Sequence, residues 1–203
     1  MVKNRLCFCA VLLLLFGFVF AANAAPQQIV CPDLSVTVSL GEDGSAAILE
    51  QWTLKTAETV GSFSRTVAVK DGQQLSEWEV IDCKGEELKL PYTPVETEGE
   101  PVPSTYRLTE TEGGTKVEWF FTPEEKERTF VLGYKVKNAV LCHADIADYT
   151  ATFSDANYPF VLDSVSVRIS PTLPEDAEMT AEGFLHGTLE TETALTEIGR
   201  AHV

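Results

Sequence analysis

Histidine is scarce in this chain, with three in 203 residues, and methionine scarcer still at two. So few imidazoles leave little material for histidine-driven proton transfer or for a nitrogen-rich metal centre. Cations are also short, since 15 Lys and Arg face 31 Asp and Glu for a formal net charge of −16. A field of that sign repels phosphate backbones, which excludes nucleic acid as a partner. Of the five cysteines, no two of Cys31, Cys83 and Cys142 have the close spacing of a zinc knuckle. Also missing are a Gly-x-Ser-x-Gly elbow, a phosphate-cradling glycine loop and a dinucleotide fingerprint. No catalytic residue, metal site or cofactor is expected. One long apolar run occurs, Leu6 to Phe20, and its roughly fifteen residues fall short of the ~20 a spanning helix needs.

That run has the flanks of a secretory leader: Lys3 and Arg5 before it, and Ala22-Asn23-Ala24 ahead of Ala25-Pro26 after it. Residues 1–24 are therefore expected to be a signal peptide cleaved after Ala24, which removes two cations and no acid. Neither Cys7 nor Cys9 sits in a lipoprotein processing pattern. Export places Cys31, Cys83 and Cys142 in an oxidising compartment. One disulfide among them with one free thiol, or three buried thiols, both fit an odd count, and spacing does not choose a pairing. At the other end, Ile198-Gly-Arg-Ala-His-Val203 is what a common sequencing adapter encodes in frame. Native sequence is expected to end near Thr196 or Glu197, leaving residues 197–203 as an artefactual tail on a truncated fragment.

Between these ends the apolar residues alternate, the pattern of strands that bury one face. Leu34, Val36, Val38 and Leu40 alternate with polar residues, Gly41-Glu-Asp-Gly44 supplies a turn, and Ile48, Glu50, Trp52 and Leu54 share the inner side of the return strand. Further strands are read at Phe63–Val69, Leu75–Ile81 and Glu87–Leu90. A mobile acidic loop is expected at Pro94–Pro103, and a hairpin over Tyr106–Thr111 and Lys116–Phe121. The long alternation of Phe130, Leu132, Tyr134 and Val136 predicts a central strand. Past Asn138 the pattern loosens, with room for one helical turn before Phe153. Val161, Val165, Val167 and Ile169 are read on one strand face with Asp163, and His186-Gly187 as the hinge of a last pair. About ten short strands without interleaved helices predict an all-β fold, an antiparallel sandwich of two sheets, immunoglobulin-like or related, over residues 25–196.

Glu50 is the residue this pattern singles out, a carboxylate on an apolar face between Ile48 and Trp52. A buried carboxylate needs a partner, and Arg65 on the following strand is the nearest candidate for a structural ion pair. The competing reading makes Glu50 a general acid working with Asp163 or Asp148, as in a secreted carbohydrate-active or hydrolytic domain. His143, Asp145 and Asp148 share one loop but lack the ligand set of a zinc motif. Glu42-Asp43-Gly44 invites a calcium-dependent adhesion reading but lacks the alternating acids of an EF-hand loop. Trp52, Trp78 and Trp119 fall with inner-face residues and are expected in the core rather than on a sugar platform.

Several stretches together resemble the extracytoplasmic domain of the YciQ-like predicted membrane proteins, the domain of unknown function 2207 family. They are Asp43-Gly-Ser45 with Glu50-Gln-Trp52, Gly61-Ser-Phe-Ser-Arg65, Thr129-Phe-Val-Leu-Gly-Tyr134 running on to Val140, Asp145-Ile-Ala-Asp148, Val165–Ile169 before Pro171, and Phe184-Leu-His186-Gly187. The resemblance covers nearly all of the chain after the leader. It implies an exported β-rich domain followed by one or more membrane helices, with no established catalytic activity to carry over. The expectation is a non-catalytic surface binding or spacer module, meeting an unidentified protein or cell-envelope ligand. It would be anchored by a C-terminal span missing from this chain.

Overall fold

The computed structural model describes residues 29–84, 88–96, 100–124, 126–143, 146–153, 158, 160–171, 184–185 and 188–189. The expected leader, the expected tail, Asp145 and His186-Gly187 lie outside the described residues. The fold is all-β. Among the described residues no helix is long and apolar enough to cross a membrane.

The larger sheet begins with a long hairpin, β1 (Ile29–Leu40) and β2 (Ala46–Thr56). Its turn is held by Gly41 N donating to Ser45 O at 2.8 Å, with Asp43 Oδ1 accepting from Ser45 N at 3.0 Å and Ser45 Oγ at 2.6 Å. Gly44 has φ +73°, a conformation that a side chain resists. Along β2, Ala46, Ile48, Glu50, Trp52, Leu54 and Thr56 are buried, while Ala47, Leu49, Gln51 and Lys55 are exposed. That two-residue period is what places Glu50 in the interior. β9 (Lys126–Lys137) pairs with β2 on one side and with β4 (Gln74–Lys84) on the other, and β5 (Leu88–Pro91) closes that edge.

The smaller sheet has the order β3 (Ser62–Ala68), β8 (Gly114–Phe120), β7 (Thr105–Thr111) and β6 (Thr93–Pro94). A short hairpin of β10 (Val140–Cys142) and β11 (Ala147–Tyr149) stands where the sequence leaves room for a helical turn, its turn closed by His143 N donating to Ile146 O. Another small pair joins β14 (Phe184–Leu185) to β15 (Thr188–Leu189).

The expected all-antiparallel pairing is corrected at the far edge of the larger sheet. There β12 (Val161–Leu162) and β13 (Val165–Pro171) both run parallel to β1, and in the smaller sheet β6 runs parallel to β7. The larger sheet is mixed, because the chain travels back along the molecule before β12 and re-enters at the start of β1, as a crossover must. The single strand read from Val161 to Ile169 is also broken. Asp163 N donates to Cys31 O and Leu34 N to Ser164 O, so the two halves pair with β1 on either side of its irregularity between Val30 and Asp33.

Side chains of the two sheets meet in one core. Trp52 of β2 packs on Phe63 of β3 with ring centroids 5.3 Å apart, and Trp119 of β8 packs on Phe130 of β9 at 5.8 Å. Trp52 and Trp119 have no exposed surface. Trp78, partly buried, packs against the Tyr134 ring at 5.2 Å. It gets there through a bulge in β4, where the register with β9 shifts between Ser76 and Glu79 and Glu77 takes φ 57°.

Candidate functional site

Glu50 and Arg65 come from the two main sheets. β2 carries Glu50 inward between Ile48 and Trp52, and β3 carries Arg65 inward between Phe63 and Val67. Glu50 is 0% exposed and Arg65 4%. Arg65 Nε donates to Glu50 Oε2 at 3.1 Å and Nη2 reaches Oε1 at 3.4 Å. Two further donors converge on the carboxylate: Trp52 Nε1 on Oε2 at 3.0 Å and Tyr134 OH on Oε1 at 2.8 Å. Two further guanidinium donors go to backbone, Nη2 to Thr152 O at 3.1 Å and Nη1 to Thr66 O.

This geometry sets the electrostatics. Burial works against the Arg65 charge, yet the Glu50 carboxylate and the nearby Tyr158 and Tyr134 oxygens outweigh it and hold the guanidinium above its ordinary range. Burial, then the Glu50 charge, pushes the Tyr134 phenol well up, and the same two causes raise Tyr149. The Tyr149 hydroxyl is buried beside this cluster, with no hydrogen-bond partner among the described residues. Both carboxylate oxygens are thus engaged by protein donors.

The other sequence-predicted residues do not join Glu50. Asp163 is exposed in the break between β12 and β13, and Asp148 is exposed on β11. His143 Nε2 lies 3.4 Å from Asp148 Oδ2, with the two side chains 50% and 61% exposed. Asp43 is occupied by Ser45, whose hydrogen bonds hold its carboxyl below the usual range. Among the described residues no three His, Cys, Asp or Glu side chains converge as a cation site. Cys31, Cys83 and Cys142 stand as free thiols on β1, β4 and β10, respectively buried, half-buried and exposed.

A second buried charge cluster escapes the sequence reading. Asp82 of β4 and Arg128 of β9 both point inward, with Arg128 Nη1 3.8 Å from Asp82 Oδ2. Arg128 Nη2 donates to Thr122 O at 2.7 Å, the guanidinium lies 5.0 Å over the Phe121 ring, and Tyr92 OH donates to Asp82 at 3.5 Å. The signal was present in the alternation: Asp82 shares parity with Val80, and Arg128 with Phe130. Ending the strands at Ile81 and Phe130 cuts both off.

Above the Glu50–Arg65 pair a cleft of ≈ 260 Å³ opens to solvent. Residues 62–66 of β3 line it together with Ile29, Tyr158 and Phe160. Tyr158 and Phe160 stack at 4.7 Å.

The described residues thus present an all-β domain with a buried ion pair whose Arg65 also lines a solvent-open cleft. The chain belongs to the family described as the predicted membrane protein (DUF2207) N-terminal domain, whose model matches residues 31–201. No curated protein matches it. A crystal structure of a candidate protease from Parabacteroides distasonis ATCC 8503 is similar at 16% identity, with a TM-score of 0.31. The match covers 55% of this chain and 23% of that one.

Proposed function

We propose that this is the non-catalytic, extracytoplasmic domain of a membrane-anchored protein, a two-layer β-sandwich that presents a binding surface outside the membrane. One observation carries the reading: the Glu50 carboxylate is buried, with both oxygens held by Arg65, Trp52 and Tyr134. A general acid must release and regain its proton in contact with substrate. Glu50 sits instead where a charge specifies how two sheets pack. The family description as the N-terminal domain of a predicted membrane protein supports the anchored setting. The basic-apolar-small pattern of residues 1–24 supports export.

The test is to incubate the domain with cell-wall glycans and with peptides, following complex formation by calorimetry and product release by chromatography. Binding without turnover is the expected result. Turnover that Glu50→Gln abolishes, in a variant shown by circular dichroism to be folded, overturns the reading in favour of a hydrolytic domain.

A further inference from the structure

Among the described residues strand β3 has a partner on one side only, β8. At its start the Gly61 carbonyl accepts from Phe121 N at 2.8 Å, and past its end Val69 N donates to Gly113 O at 2.9 Å. The antiparallel register runs from Ser62↔Phe120 to Ala68↔Gly114. Alternation then gives the odd-numbered backbone groups to β8 and turns those of Ser62, Ser64 and Thr66 away from it. These three residues line the cleft. One of their carbonyls, Thr66 O, accepts from Arg65 Nη1. Among the described residues the rest form a row of main-chain donors and acceptors beside the cleft.

Exposed strand edges are normally blunted by lysine, proline, a bulge or shortness. The other edges of the two main sheets show such guards among the described residues. β5 carries Lys89 and stops at Pro91, β6 is two residues ending in Pro94, β12 is two residues, and β13 carries Arg168 and Pro171. β3 runs for seven residues with no Lys, Pro or Gly. Its single cation, Arg65, is turned inward onto Glu50. The outward side chains at Ser62, Ser64 and Thr66 are small and uncharged, so another backbone can approach.

We propose that the β3 edge receives an extended, net-basic segment of another polypeptide as an added strand of the smaller sheet, seating one apolar side chain against Ile29, Tyr158 and Phe160. This rests on the reading of the domain as a binding module and names the chemistry of its partner. Main-chain hydrogen bonds supply affinity in such a mode, and the pocket for an alternate side chain supplies specificity. Charge selects the occupant. A second copy would bring another −16 to the contact, whereas a basic segment is drawn in by the same field. Locally Glu118 of β8, opposite Ser64, already pairs with Arg107 at 3.2 Å and Lys116 at 3.8 Å, so the selection comes from the net charge of the whole molecule.

The probe is a synthetic peptide of about ten residues, alternating Lys with Val around one central Phe, fluorescein-labelled and titrated into the full chain by anisotropy. Two derivatives carry N-methyl groups on alternate backbone nitrogens, one set on each edge of the extended peptide. One derivative should lose binding while the other keeps it within about twofold. Ser64→Pro, which removes an N–H that β8 does not use, should weaken binding at least roughly tenfold with the melting temperature unchanged. If that variant fails to fold, the two methylated peptides decide on the unmodified protein. Equal binding by both derivatives, or no binding, overturns the proposal. So does a dimer in sedimentation that Ser64→Pro dissociates, because the occupant is then a second copy. Recovery of cleaved peptide by mass spectrometry would instead overturn the non-catalytic reading of the domain.

Discussion

A carboxylate with no exposed surface needs fixed donors in place of water, and among the described residues Glu50 finds them in Arg65, Trp52 and Tyr134. Removing one member of such a pair strands the other charge. Glu50→Gln should therefore destabilise the fold by about 3–5 kcal/mol, read from the midpoint of urea unfolding. The double variant Glu50→Leu/Arg65→Met should be more stable than either single variant. It should still fall below the parent, because Trp52 Nε1 and Tyr134 OH lose their acceptor. A double variant no better than the singles would mean the pair contributes nothing as a pair. Cysteine chemistry separates at the same scale. Burial pushes the Cys31 thiol up to about 12, while Cys142 is exposed. Iodoacetamide near neutral pH should modify Cys142 first and Cys31 only on unfolding, as peptide mass mapping would record.

At the scale of an element, the bulge in β4 is where backbone geometry is spent on side-chain placement. Glu77 is left-handed at φ 57°, and the extra residue turns Trp78 onto Tyr134, with Trp78 O accepting from Tyr106 OH at 3.0 Å. The Glu77 carboxylate itself does little, 3.9 Å from Lys135 and 68% exposed. Glu77→Gly should relieve the strained dihedral and raise stability by about 0.5–1 kcal/mol, measured by thermal melting. A fall would show that the Glu77 side chain holds the bulge. Elements of this kind also mark what a sequence exposes. The inner stripes of β2 and β9 were readable because one face is wet and the other dry. The direction of β13 was not, since Val165, Val167 and Ile169 alternate identically whether they run with β1 or against it. The bulge was equally hidden, because Trp78 keeps the parity of Val80 while the chain around it changes register.

Across the whole molecule, several weak acids are held protonated by the same core. Burial first, and neighbouring charge second, raises Tyr134, Tyr149 and Tyr92, and burial raises Cys31. The unfolded chain ionises these groups near 9.0 for Cys and 10.0 for Tyr, whereas the folded chain resists. A raised folded value gives stability that is complete below the unfolded value and is lost as pH climbs through the folded one. Urea midpoints should accordingly hold steady up to about pH 9 and fall beyond it. Tyr134→Phe should start lower and fall less steeply. A midpoint unchanged at pH 11 would contradict the burial of these groups. Of the candidate site, Glu50 and its nearest cation were legible because adjacent strands had to bring them together. Tyr134 and Thr152 were not, being distant in the chain and joined only through the order of strands in space.

That order carries a mechanical consequence. Ile29 opens β1 at one end of the larger sheet, and Pro171 closes β13 at the other, the two strands lying side by side in the same direction over seven matched positions. Tension between those residues pulls the neighbours past each other lengthwise, so the bonds along the seam must rupture together instead of peeling one after another. A domain strung in this way resists stretching through its rate of forced unfolding rather than its equilibrium stability.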